Sequence, residues 1–335
     1  MQVKHFIGID VSKDTLDFSV VIDGKSIRHY RIKNNTREIK STTTKIFKVF
    51  AATVDDSIFC MEHTGLYNLP LVKWLQGQQA KIWLESGVHI RKTLGLVRGK
   101  NDKVDSSRIA MYAFTNRHRI KLWKAPRKII EKLAILLSQR SRLIKVKKQL
   151  DTANKEQKQF VEKDIMRSVN KYTSKTINTI NNQIGAIEKE ILELIKEDVK
   201  LNRLFNIITS VNGIGLITAA YILVTTNEFI SINNPKKYAC YSGVAPFEHT
   251  SGTSVRGKNR VSQMANKTIK MLLHLAALST IRIQGELQDY YNRKVAEGKN
   301  KMSVINAIRN KLILRIFACV KEDREYEKIY DYKFV

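Results

Sequence analysis

The strongest constraint on the fold lies between His5 and Glu85, where five short apolar runs rich in β-branched and aromatic residues are separated by turn signals. Runs of this length and composition read as strands. Phe6 to Ile9 and Leu16 to Ile22 flank a short polar turn, Asp23-Gly24 turns the chain again, and Ser26 to Ile32 alternates well enough for a third strand. The start is therefore an antiparallel meander. A helix is expected over 36–52 from apolar Ile39, Ile46, Val49 and Phe50, although the run Ser41 to Thr44 lowers its propensity. Ser57 to Met61 and Ala80 to Leu84 are two more strands, with a helix from Leu66 to Gln76 between them. The order β-β-β-α-β-α-β-α predicts a mixed sheet covered by helices.

Two of these strands end on an acid. Asp10 closes the first and Glu62 the fourth. An unpaired carboxylate left in a core costs several kcal/mol, roughly, so each needs a cation, an exposed edge or a metal. Asp102 and Asp105 follow at the start of a predicted helix, three residues apart and so on one side of it. Taken singly, Asp10 is equally a solvated turn residue, and the helical pair equally complements the helix dipole. As a set of four they form an all-oxygen donor group suited to a divalent ion in phosphoryl transfer. Asp14, Asp17 and Glu85 are left outside the set. The three cysteines, Cys60, Cys240 and Cys319, are far apart and read as buried small hydrophobes, and the seven histidines form no close pair.

Lys+Arg number 59 against Asp+Glu 31, a formal net charge of +28 that solubility alone does not require. A polyanion partner is the natural inference. No apolar run approaches the roughly 20 residues needed to span a bilayer, and the start lacks an apolar secretory segment. The expectation is a cytoplasmic protein that makes no use of membranes.

From Pro126 the composition turns to lysine-rich helix. Ile177, Ile180, Ile184, Ile187, Ile191 and Leu194 alternate steps of three and four as in a heptad seam, and Leu133, Leu136, Leu143 and Leu150 make an interrupted earlier version. A helical hairpin arm bending within 154–176 is expected, its stripe either packing within the monomer or, as a protruding arm favours, also dimerising. Gly213-Ile-Gly215 then sits between two apolar helical runs, either as a helix-hairpin-helix whose backbone approaches a phosphate or as a plain tight turn. The segment from Tyr238 to Arg260 reads as a basic loop, in which Arg256, Lys258 and Arg260 cluster within five residues and would draw a negatively charged backbone close to a serine. Amphipathic helices are expected over 261–283 and 303–320.

The acid set and the strand order together resemble the RNase H-like fold of the RuvC group. Nearly the full chain resembles the DEDD-type insertion-sequence transposases, also called bridge recombinases, which include the Piv-type DNA invertases. The residues that carry the resemblance are Gly8-Ile-Asp10-Val-Ser-Lys13, Glu62-x-Thr64-Gly65, Asn101-Asp102-x-x-Asp105, Gly213-Ile-Gly215, Tyr241-Ser-Gly-Val-Ala-Pro246 and Ser251-Gly252. The resemblance implies a RuvC-like domain over 1–125, a coiled-coil arm over 126–200 that dimerises and touches nucleic acid, and a mainly α-helical transposase domain over 201–335. It further implies that Asp10, Glu62, Asp102 and Asp105 bind Mg2+ or Mn2+ and that Ser251 attacks a DNA phosphodiester to form a phosphoserine link. Acids and serine would meet across protomers in a tetramer assembled from homodimers, with a structured bridge RNA choosing donor and target DNA. Gly213, Gly215, Arg256, Lys258 and Arg260 are candidate nucleic-acid contacts. Gln263, Ala265, Asn266 and Lys270 stand where the family carries a basic residue, a glycine, an asparagine and an arginine. Ser254, Thr250 and Ser242 are weaker candidates for the nucleophile.

The expected function is thus an RNA-guided DNA recombinase. Two rivals are a RuvC-like nuclease or junction resolvase that hydrolyses DNA with the four acids alone, and a non-catalytic architectural nucleic-acid binder.

Overall fold

The computed structural model describes residues 3–63, 65–93, 101–251, 255–261 and 265–327. The chain divides into two compact units, Met1–Ala125 and Pro126–Val335.

In the first unit, β1 (His5–Val11), β2 (Thr15–Ile22), β3 (Lys25–Lys33), β4 (Ser57–Glu62) and β5 (Lys81–Glu85) form one sheet in the order β3-β2-β1-β4-β5. The meander is antiparallel, while β4 and β5 run parallel to β1 and its neighbour. Both faces of β1 are covered, which explains its nearly unbroken apolar reading. On one face Ile7, Ile9 and Val11 join Leu16, Phe18, Val20, Ile39, Ile46 and Leu71, residues that come from β2, α1 (Thr36–Phe50) and α2 (Leu69–Gly77). On the other, Phe6 joins Val21, Ile58, Cys60 and Trp83 beneath Ile109, Ala110 and Ala113. Those three belong to α4 (Asp102–Thr115), which follows α3 (Gly87–Thr93). Because successive side chains alternate across a strand, Asp10 shares the α4 face with Phe6 and Gly8.

The weak propensity of α1 is overridden by packing. Thr43 is buried, its hydroxyl donates to Ile39 O at 2.8 Å, and the same oxygen accepts from Trp74 Nε1 of α2 at 3.0 Å. Asn35 caps the helix by accepting from Glu38 N.

The second unit is mostly helical: α5 (Lys128–Phe160), α6 (Lys163–Glu197), α7 (Val199–Ser210), α8 (Leu216–Thr226), α9 (Pro235–Tyr241), α10 (Lys267–Thr280), α11 (Glu286–Ala296) and α12 (Lys301–Lys321). The helical hairpin bends between Phe160 and Lys163, inside the polar stretch where the sequence puts it. Its base is part of the main core, where Ile130, Leu133, Leu137, Ile191 and Ile195 pack with Leu201, Ile208, Leu223, Leu273 and Leu312. Along the seam Ile180 is buried, whereas Ile177, Ile184, Ile187 and Leu194 are half-buried against α5.

Three features depart from the sequence reading. The segment taken for a basic loop forms an antiparallel hairpin of β6 (Pro246–Ser251) and β7 (Val255–Val261), and an irregularity between Phe247 and His249 hides the strand alternation. The helix expected from residue 261 begins only after Asn266, which accepts from Thr268 N and Ile269 N as its cap. Helix α11 was not foreseen, although Leu287, Tyr290, Tyr291 and Val295 recur at helical spacing and turn toward the core. Among the cysteines, Cys60 and Cys319 are buried but Cys240 is exposed.

The turn between α7 and α8 depends on Gly213, at φ +88°, where a side chain is strained. A Cβ there would lie 2.1 Å from Thr280 Oγ1 and 2.6 Å from Ala276 O of α10. Gly213→Ala is expected to destabilise the second unit by about 3 kcal/mol, the sum of a left-handed backbone penalty and overpacking. Urea unfolding followed by circular dichroism measures this, and a loss under about 1 kcal/mol would mean that the turn relaxes freely.

A buried ionic cluster ties the helices of this unit together. The Glu228 side chain has no solvent exposure and accepts from Arg127 Nη2 at 2.6 Å, with Lys200 Nζ at 3.6 Å. Arg127 also holds Asp198 at 2.6 Å, and Asp198 caps α7 through Leu201 N. The start of α5, the end of α6 and the end of α8 are thereby joined.

Candidate active-site residues

The acids of the first unit are brought together by one close approach of backbone. Gly8 of β1 lies under α4, where a Cβ would sit 2.1 Å from Ala110 N and 2.4 Å from Ser106 O. Beside it, Ser19 of β2 and Ser106 of α4 share a buried hydrogen bond of 2.8 Å. Asn101 caps α4 by accepting from Val104 N at 2.8 Å, which starts the helix so that Asp102 and Asp105 fall in its first turn. Glu62 ends β4, one residue past the Ile9–Met61 pair of the parallel register. Gly87 leaves room for it, since a Cβ there would meet Glu62 Oε1 at 1.9 Å.

The electrostatics report the same convergence. The Asp10 carboxyl is pushed up to about 6, first by burial and then by the charges of Asp105, Asp102, Asp17 and Glu62. The charges of the other three acids singled out in the sequence are thus each felt at this residue. Two carry cations: Asp102 meets Arg31 at 3.2 Å and Asp105 meets Arg108 at 2.6 Å. Among the described residues no three Asp, Glu, His or Cys side chains are arranged to hold a metal ion. The donor chemistry itself, carboxylate oxygens crowded at a cost in like-charge repulsion, fits a hard divalent cation.

Asp17, left outside the set by the sequence reading, is the neighbour that it missed. It pairs with Asp10 across β1 and β2 and is 2 % exposed. His29 Nε2 lies 2.8 Å from its Oδ1 and Arg31 Nε 4.0 Å from its Oδ2. It therefore fixes Arg31 beside Asp102. Counting residues across the Ser12–Asp14 turn would have exposed the pairing. Glu85 faces Glu62 across β4 and β5, but its carboxylate is taken up by Tyr112 Oη at 3.0 Å, Ser86 N at 2.9 Å and His89 at 3.0 Å. Burial would raise its pKa, and these bonds hold it below the usual range instead.

Next to the acids, an open groove of about 740 Å³ runs between β3 and α4. Arg28, His29, Lys103 and Arg108 line it together with Ser19, Ser26 and Ser107, and among the described residues no acid does. Such a lining suits a phosphate backbone.

In the second unit Ser251 is the last residue of β6 and pairs with Val255, and Thr250 pairs with Arg256. Arg256, Lys258 and Arg260 all lie on β7. Gly252, Ser254 and Gln263 lie outside the described residues. Ser242 is fully buried and donates to Ala239 O at 3.2 Å, so it serves as a structural hydroxyl. Asn266 Nδ2 donates to Tyr241 Oη at 2.9 Å, and Ala265 and Lys270 flank that cap. Gly213 meets α10, whereas nothing stands within 4 Å of a Cβ at Gly215, at the N-terminus of α8. No helix among the described residues is long and apolar enough to cross a membrane.

Residues 7–159 match a transposase family of the DEDD, IS110 type, and residues 205–292 match the Transposase IS116/IS110/IS902 family. Over 329 residues, 97% of this chain, it is 26% identical to the pilin gene-inverting protein of Moraxella bovis, 98% of which is covered. The corresponding Moraxella lacunata protein gives the same figures. An uncharacterised 43.6 kDa protein of insertion element IS110 from Streptomyces coelicolor is 28% identical over 152 residues, 45% of this chain and 36% of its own. The acids of the first unit fall within the first family match and the Ser251 hairpin within the second. The chain therefore carries both domains of an IS110-family transposase.

Proposed function

We propose that the protein is a DNA recombinase, the transposase of an insertion sequence, guided by a structured bridge RNA. In this reading the first unit is an RNase H-like, RuvC-like domain, and the observation that carries it is the repulsion gathered on Asp10. Arg31 and Arg108 answer Asp102 and Asp105, and a divalent cation would offset the repulsion that remains on Asp10 among carboxylates from β1, β4 and α4. Asp10, Glu62, Asp102 and Asp105 would hold Mg2+ or Mn2+. When bound, the metal polarises the scissile phosphate and offsets the charge that develops there.

Ser251 acts as the nucleophile. Its Oγ forms a bond to phosphorus, the bond from phosphorus to a deoxyribose oxygen breaks, and the serine proton leaves with that hydroxyl through solvent. One phosphodiester is exchanged for another, so no nucleotide hydrolysis is required, and attack by a second DNA hydroxyl releases the serine again. Ser251 ends β6, and Arg256, Lys258 and Arg260 of the paired strand β7 would meet phosphate. Acids and serine from different protomers complete the site in a tetramer, and the half-covered seam of α6 supports a coiled-coil arm as the contact between protomers. The reaction takes place in the cytoplasm, on donor and target DNA.

Trapping on a nicked or suicide DNA substrate tests the chemistry. Wild-type protein is expected to give a covalent protein–DNA adduct, and folded Ser251→Ala to lose both adduct and recombination by about a thousandfold or more. Asp10→Asn should lose activity comparably. Undiminished cleavage by Ser251→Ala would instead establish hydrolysis by the acids alone. Sequencing the RNA that copurifies with the protein tests the guide, which requires a transcript of the element's own ends.

A further inference from the structure

Arg309 of α12 is the electrostatic exception in the second unit. It is 6 % exposed and has no carboxylate partner among the described residues. The other arginines whose ion pairs are described there, Arg127, Arg140, Arg167, Arg203, Arg315 and Arg324, all pair with Asp or Glu and keep more of their side chains in solvent. Five N–H donors are thus withdrawn from water with little to receive them. Nη2 meets His274 Nδ1 of α10 at 2.5 Å, Nη1 reaches Asn306 Oδ1 at 3.5 Å, and Nε has no partner. Both acceptors are uncharged: His274 must be neutral at Nδ1 to accept, and burial followed by the Arg309 charge holds its pKa below the ordinary value.

A buried guanidinium is normally retained against an anion, because desolvating the charge is unfavourable unless it is matched. The surroundings show where that anion enters. Asn306, which touches Arg309, also lines an open groove of about 820 Å³ with Val244, Pro246, Ser303 and Asn310. Among the described residues no charged side chain lines this groove. The same Asn306 donates to Val244 O at 2.8 Å, which ties α12 to the start of the hairpin that bears Ser251. Lys270, one turn before His274 on α10, adds a second cation on that helix face.

We infer that Arg309, backed by neutral His274 and reached past Asn306, binds a backbone phosphate of the nucleic-acid strand that lies in this groove at the base of the hairpin. Ser303 and the two asparagines suit sugars, the apolar remainder of the lining suits base faces, and the guanidinium supplies a bidentate contact to the phosphate. This rests on the chain acting on nucleic acid, but it requires neither the metal nor the Ser251 chemistry.

The test uses full-length protein in EDTA with labelled single-stranded DNA, duplex DNA and RNA of one length, titrated across a salt series. Arg309→Met removes the charge and keeps the volume. It is expected to weaken binding of at least one of the three about tenfold or more, to flatten its log affinity against log salt slope by about one contact, and to leave the unliganded melting temperature unchanged or raised. The strand type affected identifies the occupant as DNA or RNA. Asn310→Asp, nearly isosteric on the groove wall, should weaken the same ligand several-fold while the protein stays folded, and it serves if Arg309→Met does not fold. Wild-type affinity and slope in both variants would overturn the inference while leaving the recombinase reading intact. Wild-type protein that binds none of the three would overturn both.

Discussion

Gly8→Ala is expected to unfold or badly loosen the first unit, with a loss of about 3 kcal/mol or more, and to abolish recombination even at temperatures where the protein stays folded. The new Cβ would overlap Ala110 N, Ser106 O and Ala110 Cα, all backbone atoms of α4. No rotamer change relieves such an overlap, so the helix must lift. Lifting it breaks the buried Ser19–Ser106 bond and carries Asp102 and Asp105 away from Asp10. The three tryptophans, Trp74, Trp83 and Trp123, all lie in this unit, so fluorescence during urea unfolding reads it alone. A variant with wild-type midpoint and activity would show that α4 has no fixed seat on β1.

Arg127→Met should destabilise the second unit by about 3–5 kcal/mol, the range for breaking a buried ion pair from one side. The asymmetry of the cluster predicts which side matters. Removing Arg127 leaves the Glu228 carboxylate with no solvent and only Lys200 at 3.6 Å, whereas removing Glu228 leaves cations that are 40% and 58% exposed and can hydrate. Glu228→Gln is therefore expected to cost less than Arg127→Met. Circular dichroism should register both losses while tryptophan fluorescence holds its midpoint. A pH series adds an independent reading. The hydrogen bond from Arg127 outweighs burial and holds the Asp198 carboxyl below its ordinary 3.8. A depressed carboxyl stabilises the fold above its unfolded pKa and loses that contribution as pH falls through the folded value. Wild-type protein should thus lose stability from this source below about pH 4, and Arg127→Met should show a flatter acid limb. Equal losses in the two variants, or an unchanged acid limb, would mean that the cluster is not a buried charge centre.

Much of this was legible in the residues. The five strand runs, the turn at Asp23-Gly24, the hairpin bend after Phe160 and the apolar helices on either side of Gly213 follow from periodicity and turn chemistry, which are local. The hairpin of β6 and β7 was not legible, because its irregular register breaks the two-residue alternation that marks a strand. Asp17 lay outside the set for a different reason: its place beside Asp10 is a cross-strand relation, set by the register across the turn and not by the pattern of either strand alone.

The sequence by itself set which residues end strands and cap helices, and so which acids were available at Asp10, Glu62, Asp102 and Asp105. Tertiary packing decided that the charges of the other three are felt at Asp10, those of Asp102 and Asp105 through the bare backbone of Gly8 under α4. It also decided which charges are answered: Arg31 and Arg108 by acids of the set, Glu228 by Arg127, and, among the described residues, Arg309 by neutral side chains alone. Local pattern is enough to choose an element, because hydrogen bonding and propensity act within a few residues. The energy of a charge depends on every group within several ångströms of it, and only the folded chain determines those neighbours.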